Sequence, residues 1–118
     1  MTLDEYFGVY DESRRIFDVL HGAVFELGAV ELRVTKSQAA FYRRRAFAWA
    51  WIPGKVLRKT AVPLVLTVAL RQRDASPRWK EIVEPAPGRF THHLELRSAA
   101  EIDGQVRLWL KRAWDEAG

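Results

Sequence analysis

The chain has 118 residues, 48% apolar and 29% charged, a balance that excludes a disordered segment and fits one globular domain, residues 1–118. The absence of cysteine excludes disulfides, thiolate metal centres and thiol catalysis. The formal charge of +4 is unevenly spread: ten basic residues between Leu32 and Arg73 meet no Asp or Glu, while the rest of the chain holds nine basic and fifteen acidic residues.

In chain order, Thr2 and Glu5 have the spacing of a capping box, predicting a short helical turn that Gly8 ends. The opening "MTLDEYF" lacks the basic and apolar regions of a secretory signal, so the expected location is cytoplasmic. A first full helix is expected from Asp11 or Ser13. Ile16, Leu20, Val24 and Leu27 form its apolar face, Phe17 widens it, and Gly28 stops it. The period then switches to two, with Val30, Leu32 and Val34 alternating with Glu31, Arg33 and Thr35 as in a half-buried strand. Residues 36–38 read as a turn. Residues 39–43 and 47–52 read as the arms of a hairpin with its tip at 44–46, closed by Pro53 and Gly54.

Residues 63–70 are apolar on both faces, as in a central strand. The run from Ala61 to Leu70 is about half a membrane span, so no membrane is expected as a partner. Residues 74–77 signal a turn. Residues 78–88, with Pro85 and Pro87, read as a loop holding a short turn or strand near 79–83. Residues 90–96 alternate again. Ser98 and Glu101 form a second capping box, before a last helix with Ile102, Val106, Trp109, Leu110, Ala113 and Trp114 on one face.

Terminal helices flanking a run of strands argue an α+β fold. The expected form is a two-layer sandwich: a mostly antiparallel sheet of about four to six strands, with the N- and C-terminal helices on one face. The other face then needs a cover. Phe47, Trp49 and Trp51 alternate with Ala48, Ala50 and Ile52. Small residues admit a close helix, so the aromatic row is expected outside. It lies either beneath the 74–88 loop or exposed as a binding patch.

Nucleic-acid-binding sheets combine cations that neutralise phosphate with aromatic platforms that stack bases. Arg43, Arg44, Arg45, Lys55, Arg58 and Lys59 supply charge here, and Tyr42, Trp49 and Trp51 supply stacking. Aromatics also alternate in strands simply because they pack well there. No RRM-type aromatic motif, GXXG loop or zinc spacing is present. His93 and Glu95 point the same way on a strand and are the metal candidates, although a closed site needs more ligands than two. His92 shares a face with Phe90, Leu94 and Leu96 and reads as a core histidine. The sequence holds no nucleophile elbow, phosphate loop, paired-carboxylate motif or HExxH, so no catalytic residue and no cofactor is assigned.

Three stretches carry a resemblance: "VELRVTKSQAAFYRRRAFAWAWIPGK", "LVLTVALRQRDASPRWKEIVEPAPGRFTHHLEL" and "AEIDGQVRLWLKRAWDEA". Through them nearly the whole chain resembles a bacterial family of small stand-alone domains classed as a domain of unknown function. The resemblance implies relatives fused to restriction-type and nuclease-like proteins. It draws attention to Lys36, Arg43, Trp49, Arg78, Arg89 and His93. The element order is also similar to the frataxin-like sandwich, which implies iron handling through an acidic first helix. Here that helix mixes Asp11, Glu12, Asp18 and Glu26 with Arg14 and Arg15, a departure from that pattern.

The expected function is a non-catalytic module binding nucleic acid or another polyanion through the basic strands of residues 33–73. One alternative is an anionic small-molecule pocket between the sheet and the 77–89 loop, holding Lys36, Arg78, Trp79 and His93, with or without catalysis. Another is a protein-interaction module that buries the outer sheet face in a homodimer.

Overall fold

The computed structural model describes residues 1–57 and 60–118. Thr2 accepts a hydrogen bond from the Glu5 amide at 3.0 Å, while Glu5 accepts one from the Thr2 amide at 2.9 Å. This reciprocal cap starts α1 (Leu3–Phe7). α2 (Asp11–Phe25) follows and buries Ile16, Phe17, Leu20, Ala23 and Val24. Six strands then form one antiparallel sheet: β1 (Glu31–Val34), β2 (Ala39–Tyr42), β3 (Ala46–Trp51), β4 (Leu64–Leu70), β5 (Glu81–Ala86) and β6 (Arg89–Leu96). Their order is β1-β2-β3-β4-β6-β5, and α3 (Gly104–Glu116) returns across the sheet. The α+β sandwich with helices on one face is what the segregated periodicities imply.

The core lies between the helices and one sheet face. Ala39, Phe41, Ala48, Ala50, Leu64, Leu66, Val68, Leu94 and Leu96 meet Phe17, Leu20, Val24, Val106 and Leu110 there. Alanines at 39, 48 and 50 leave room for the helices. β4 is central because it is apolar on both sides: Val65 and Thr67 are buried on the far face too. Truncating Leu66 to alanine would cost about 2–5 kcal/mol through lost transfer energy and the cavity left behind.

Four expectations change. The Ser98–Glu101 capping box forms, but it caps only a 3-10 turn, Ala99–Glu101. α3 begins later, at Gly104, because Asp103 accepts from the Val106 amide at 3.1 Å and makes the stronger helix start. The loop expected at 78–88 is largely a strand, β5, and Pro85 is tolerated within it because β5 is an edge. The residues before β5 fold toward the helices instead of over the outer face. The Trp79 ring is buried 4.1 Å from that of Trp109, and its Nε1 donates to Asp74 at 2.9 Å. Finally, Phe47 does not share a row with Trp49 and Trp51. Phe41 pairs with Ala48 but Tyr42 pairs with Ala46, so β3 carries one extra residue, and Phe47 joins the helix-side core.

Candidate functional site

Antiparallel strands send successive connections to opposite ends of the sheet, and this divides the basic stretch. Lys36, between β1 and β2, and Lys55, after β3, lie at one end. Arg43, Arg44 and Arg45, between β2 and β3, lie at the other, with Arg71 after β4 and Arg89 at the start of β6. Arg58 and Lys59 lie outside the described residues. A run that is continuous in sequence thus becomes an arginine-rich end and a separate lysine end.

The arginines serve two purposes. Arg43 Nη1 donates to the Trp114 carbonyl at 3.1 Å, and Arg45 Nη2 and Arg71 Nη2 donate to the Glu116 carbonyl at 3.0 and 2.9 Å. The Arg44 amide donates to the Ala117 carbonyl at 3.2 Å. These donors satisfy carbonyls that every helix leaves open at its C-terminus, and their charge complements the negative end of the α3 dipole. The Arg44 and Arg89 side chains are different. They are exposed and make no hydrogen bond or ion pair among the described residues.

At this same end the sheet comes apart. β3 and β4 pair from Trp51↔Val65 to Ala48↔Val68 and no further: the ladder stops where the bulge takes Phe47 out of register. β4 continues to Leu70 by pairing with β6 alone. The gap is a cavity of 380 Å³ with Phe47, Leu70 and Phe90 among its apolar lining and Arg45, Arg71 and Arg89 around it. Glu116, the acid there, accepts from the Arg71 amide at 2.8 Å and lies 3.6 Å from Arg112.

The helix-free face runs away from this cavity. Arg33, Ala40, Trp49, Thr67, His93 and Glu81 follow one another across the strands in register. Trp51 Nε1 donates to Thr67 Oγ1 at 3.3 Å, so its indole reaches across β4. Thr67 Oγ1 is 2.8 Å from His93 Nδ1. The hydroxyl has one proton and two lone pairs, so this contact is a hydrogen bond with either neutral tautomer of His93. Burial lowers the His93 pKa, against the opposing pull of Glu81. Ala40, Val65 and Thr67 are buried although no helix covers them, which fits indoles lying over the sheet.

A family model described as "Domain of unknown function (DUF5655)" matches residues 4–117. The chain belongs to that family. No curated protein and no solved structure gives a match. In this DUF5655 chain the other sequence-predicted residues disperse. Arg78 binds both oxygens of Asp103, at 3.1 and 3.0 Å, as well as Gln105, anchoring the approach to β5 onto the start of α3. Trp79 is core. Lys55 donates to the Tyr6 carbonyl beneath the Tyr6 ring, and burial lowers its pKa. Lys36 and Arg78 sit at opposite sheet edges, and Trp79 and His93 on opposite faces. The expected pocket of Lys36, Arg78, Trp79 and His93 is therefore not assembled.

His93 and Glu95 share the outer face, but no group of three or more His, Asp or Glu able to hold a metal occurs among the described residues. No described helix is long and apolar enough to cross a membrane. Sequence reasoning missed Thr67 and Arg71. Thr67 had one signal, a lone hydroxyl in an otherwise apolar central strand. Arg71 had only its place in the basic run, since its role depends on where α3 ends.

Proposed function

We propose that this domain binds a polyanion, most directly single-stranded nucleic acid. The observation that carries the reading is the gathering of Arg43–45, Arg71 and Arg89 from three separate connections at one end of the sheet, beside a helix-free face bearing Trp49 and Trp51. Arg44 and Arg89 have guanidinium donors unspent among the described residues and able to meet phosphate oxygens, while Arg43, Arg45 and Arg71 add fixed positive charge. Trp49 and Trp51 stand two residues apart on one face, roughly 6.6 Å at the usual strand rise. That spacing is about two stacked base steps. Stacking on indoles is sequence-tolerant, because every base presents a π face. This supports a binder of strands rather than of a defined sequence.

The test is titration with single-stranded DNA, duplex DNA and RNA at two salt concentrations, read by tryptophan fluorescence. Single strands should quench the emission, and affinity should fall steeply with salt as counterions are released. Trp49→Ala should weaken single-strand binding while leaving its salt dependence in place. No binding of any polymer at low salt would overturn the reading.

A further inference from the structure

The cavity at the arginine end has a chemistry that an extended polymer does not use. A strand running over a surface presents diester phosphates, each with one charge shared between two oxygens. The space between β3 and β4 is instead a recess, lying where the bulge ends the pairing and lined by Ala46, Phe47, Ala69 and Leu70. Beyond Ala48 and Val68 these strands no longer serve each other as ladder partners, so main-chain polar groups there are not committed to a β3–β4 ladder. Its lining is divided. Phe47 and Leu70 are both buried and make an apolar wall, to which Phe90 and Ala113 add. Arg45, Arg71 and Arg89 ring it, and Glu116, the acid in its lining among the described residues, is already engaged by the Arg71 amide and Arg112. A volume of 380 Å³ falls within the range of small-ligand sites, roughly 300–1,000 Å³.

We infer that this recess takes a phosphomonoester carried on a flat, largely apolar body: a nucleoside monophosphate, or the phosphorylated end of a nucleic-acid strand. The inference rests on the reading of the arginine end as an anion site and deepens it from internal phosphates to a terminal one. A monoester suits the site better than a diester for two reasons. It carries up to two charges on three equivalent oxygens, which matches several guanidiniums arriving from different strands. It also ends a chain, so it can enter a local recess that a continuing backbone would only cross. The apolar wall accepts the base or sugar face behind the phosphate, and Arg89, exposed and unpaired among the described residues, has both donor edges for the oxygens.

Adenosine 5′-monophosphate, adenosine and inorganic phosphate are titrated first. An oligothymidylate with and without a 5′-phosphate follows, all against the full chain. The monophosphate should bind about tenfold more tightly than either adenosine or phosphate alone, and the 5′-phosphorylated strand should outcompete its hydroxyl-ended form by a similar factor. If only the mononucleotide shows the preference, the source is the free nucleotide; if only the strand does, it is the strand end. Two variants locate the effect. Arg89→Ala should abolish the phosphate preference without disturbing the fold. Ala69→Leu narrows the recess while keeping every cation and adding no aromatic ring. It should remove the preference but leave binding of the hydroxyl-ended strand, with circular dichroism confirming a native fold. Equal affinity for phosphorylated and hydroxyl-ended strands, together with no mononucleotide binding, overturns the inference and leaves the polyanion reading intact. So does a preference that survives Ala69→Leu. Failure of every ligand at low salt, the hydroxyl-ended strand included, overturns both.

Discussion

Arg43 lies over Trp114, its guanidinium carbon 3.6 Å from the ring centroid, while its Nη1 donates to the same residue's carbonyl. One side chain thus binds α3 through a π face and a helix-end acceptor together. Arg44, its neighbour, does neither with its side chain. The hairpin tip that looks uniformly cationic in sequence is therefore part clamp and part open charge. Arg43→Ala should destabilise the fold by about 1–2 kcal/mol, combining a cation–π contact with a charged hydrogen bond. Arg43→Lys should recover only part of this, since an ammonium cannot stack flat. Arg44→Ala should stay within about 0.5 kcal/mol of the parent. Urea unfolding of the three variants decides it. Equal effects at 43 and 44 would show that the clamp contributes nothing.

The same indole also explains a glycine. Gly28 has φ of 144°, and a Cβ built there would stand 2.7 Å from Trp114 Cζ2. Trp114 Nε1 donates to the Ala29 carbonyl at 3.0 Å, so the ring has little freedom to withdraw. Gly28→Ala should cost about 2–3 kcal/mol, from backbone strain and collision together. Adding Trp114→Leu removes the collision but not the strain. The pair should therefore be less destabilising than the sum of the two single changes, which a double-mutant cycle by thermal unfolding would reveal.

What the sequence made legible follows from the range of the interactions involved. The Thr2–Glu5 capping box, the α2 stripe from Ile16 to Val24 and the period-two strands are local, and they appear where the pattern places them. The outer position of Trp49 and Trp51 was also readable, because Ala48 and Ala50 are the residues that fit beneath helices. Phe47 was not, since a bulge depends on which partner residue β2 presents. The roles of Arg43, Arg45 and Arg71 were hidden for a similar reason. They bind carbonyls of α3, about 45 to 71 positions away in sequence. Charge runs show that cations are near one another along the chain. They do not show that alternate connections go to opposite ends of a sheet.

The histidines set an acid limit. His92 is buried, accepts from the Asp74 amide through Nε2 at 3.0 Å, and has Nδ1 3.3 Å from the Val68 carbonyl. That arrangement requires the neutral ring protonated on Nδ1. Burial lowers the pKa of His92, His93 and His21 below the usual 6.5. The unfolded chain therefore binds more protons than the folded one below about pH 6.5, so stability is full above that pH and declines as pH falls toward the lowered folded values. Melting temperature should drop between pH 7.5 and 5.5. His93→Gln, whose amide can still meet Thr67, should flatten that dependence. An unchanged slope in the variant would remove His93 from the account.

Salt dependence separates the two kinds of arginine in function as well. Each phosphate neutralised by a side chain releases counterion and steepens the fall of log affinity with log salt, by about 0.7 for a single strand. Arg44 and Arg89 have guanidiniums uncommitted among the described residues, so Arg44→Ala and Arg89→Ala should each weaken single-strand binding and reduce that slope by somewhat under about one unit. Arg43 spends its donors on α3 and its face on Trp114, so Arg43→Ala should lower stability while changing the slope less than either. The measurement is fluorescence titration at four salt concentrations, kept well below each variant's unfolding midpoint. A slope that falls most for Arg43→Ala would mean that the ligand displaces α3 from the clamp, and that the exposed guanidiniums are bystanders.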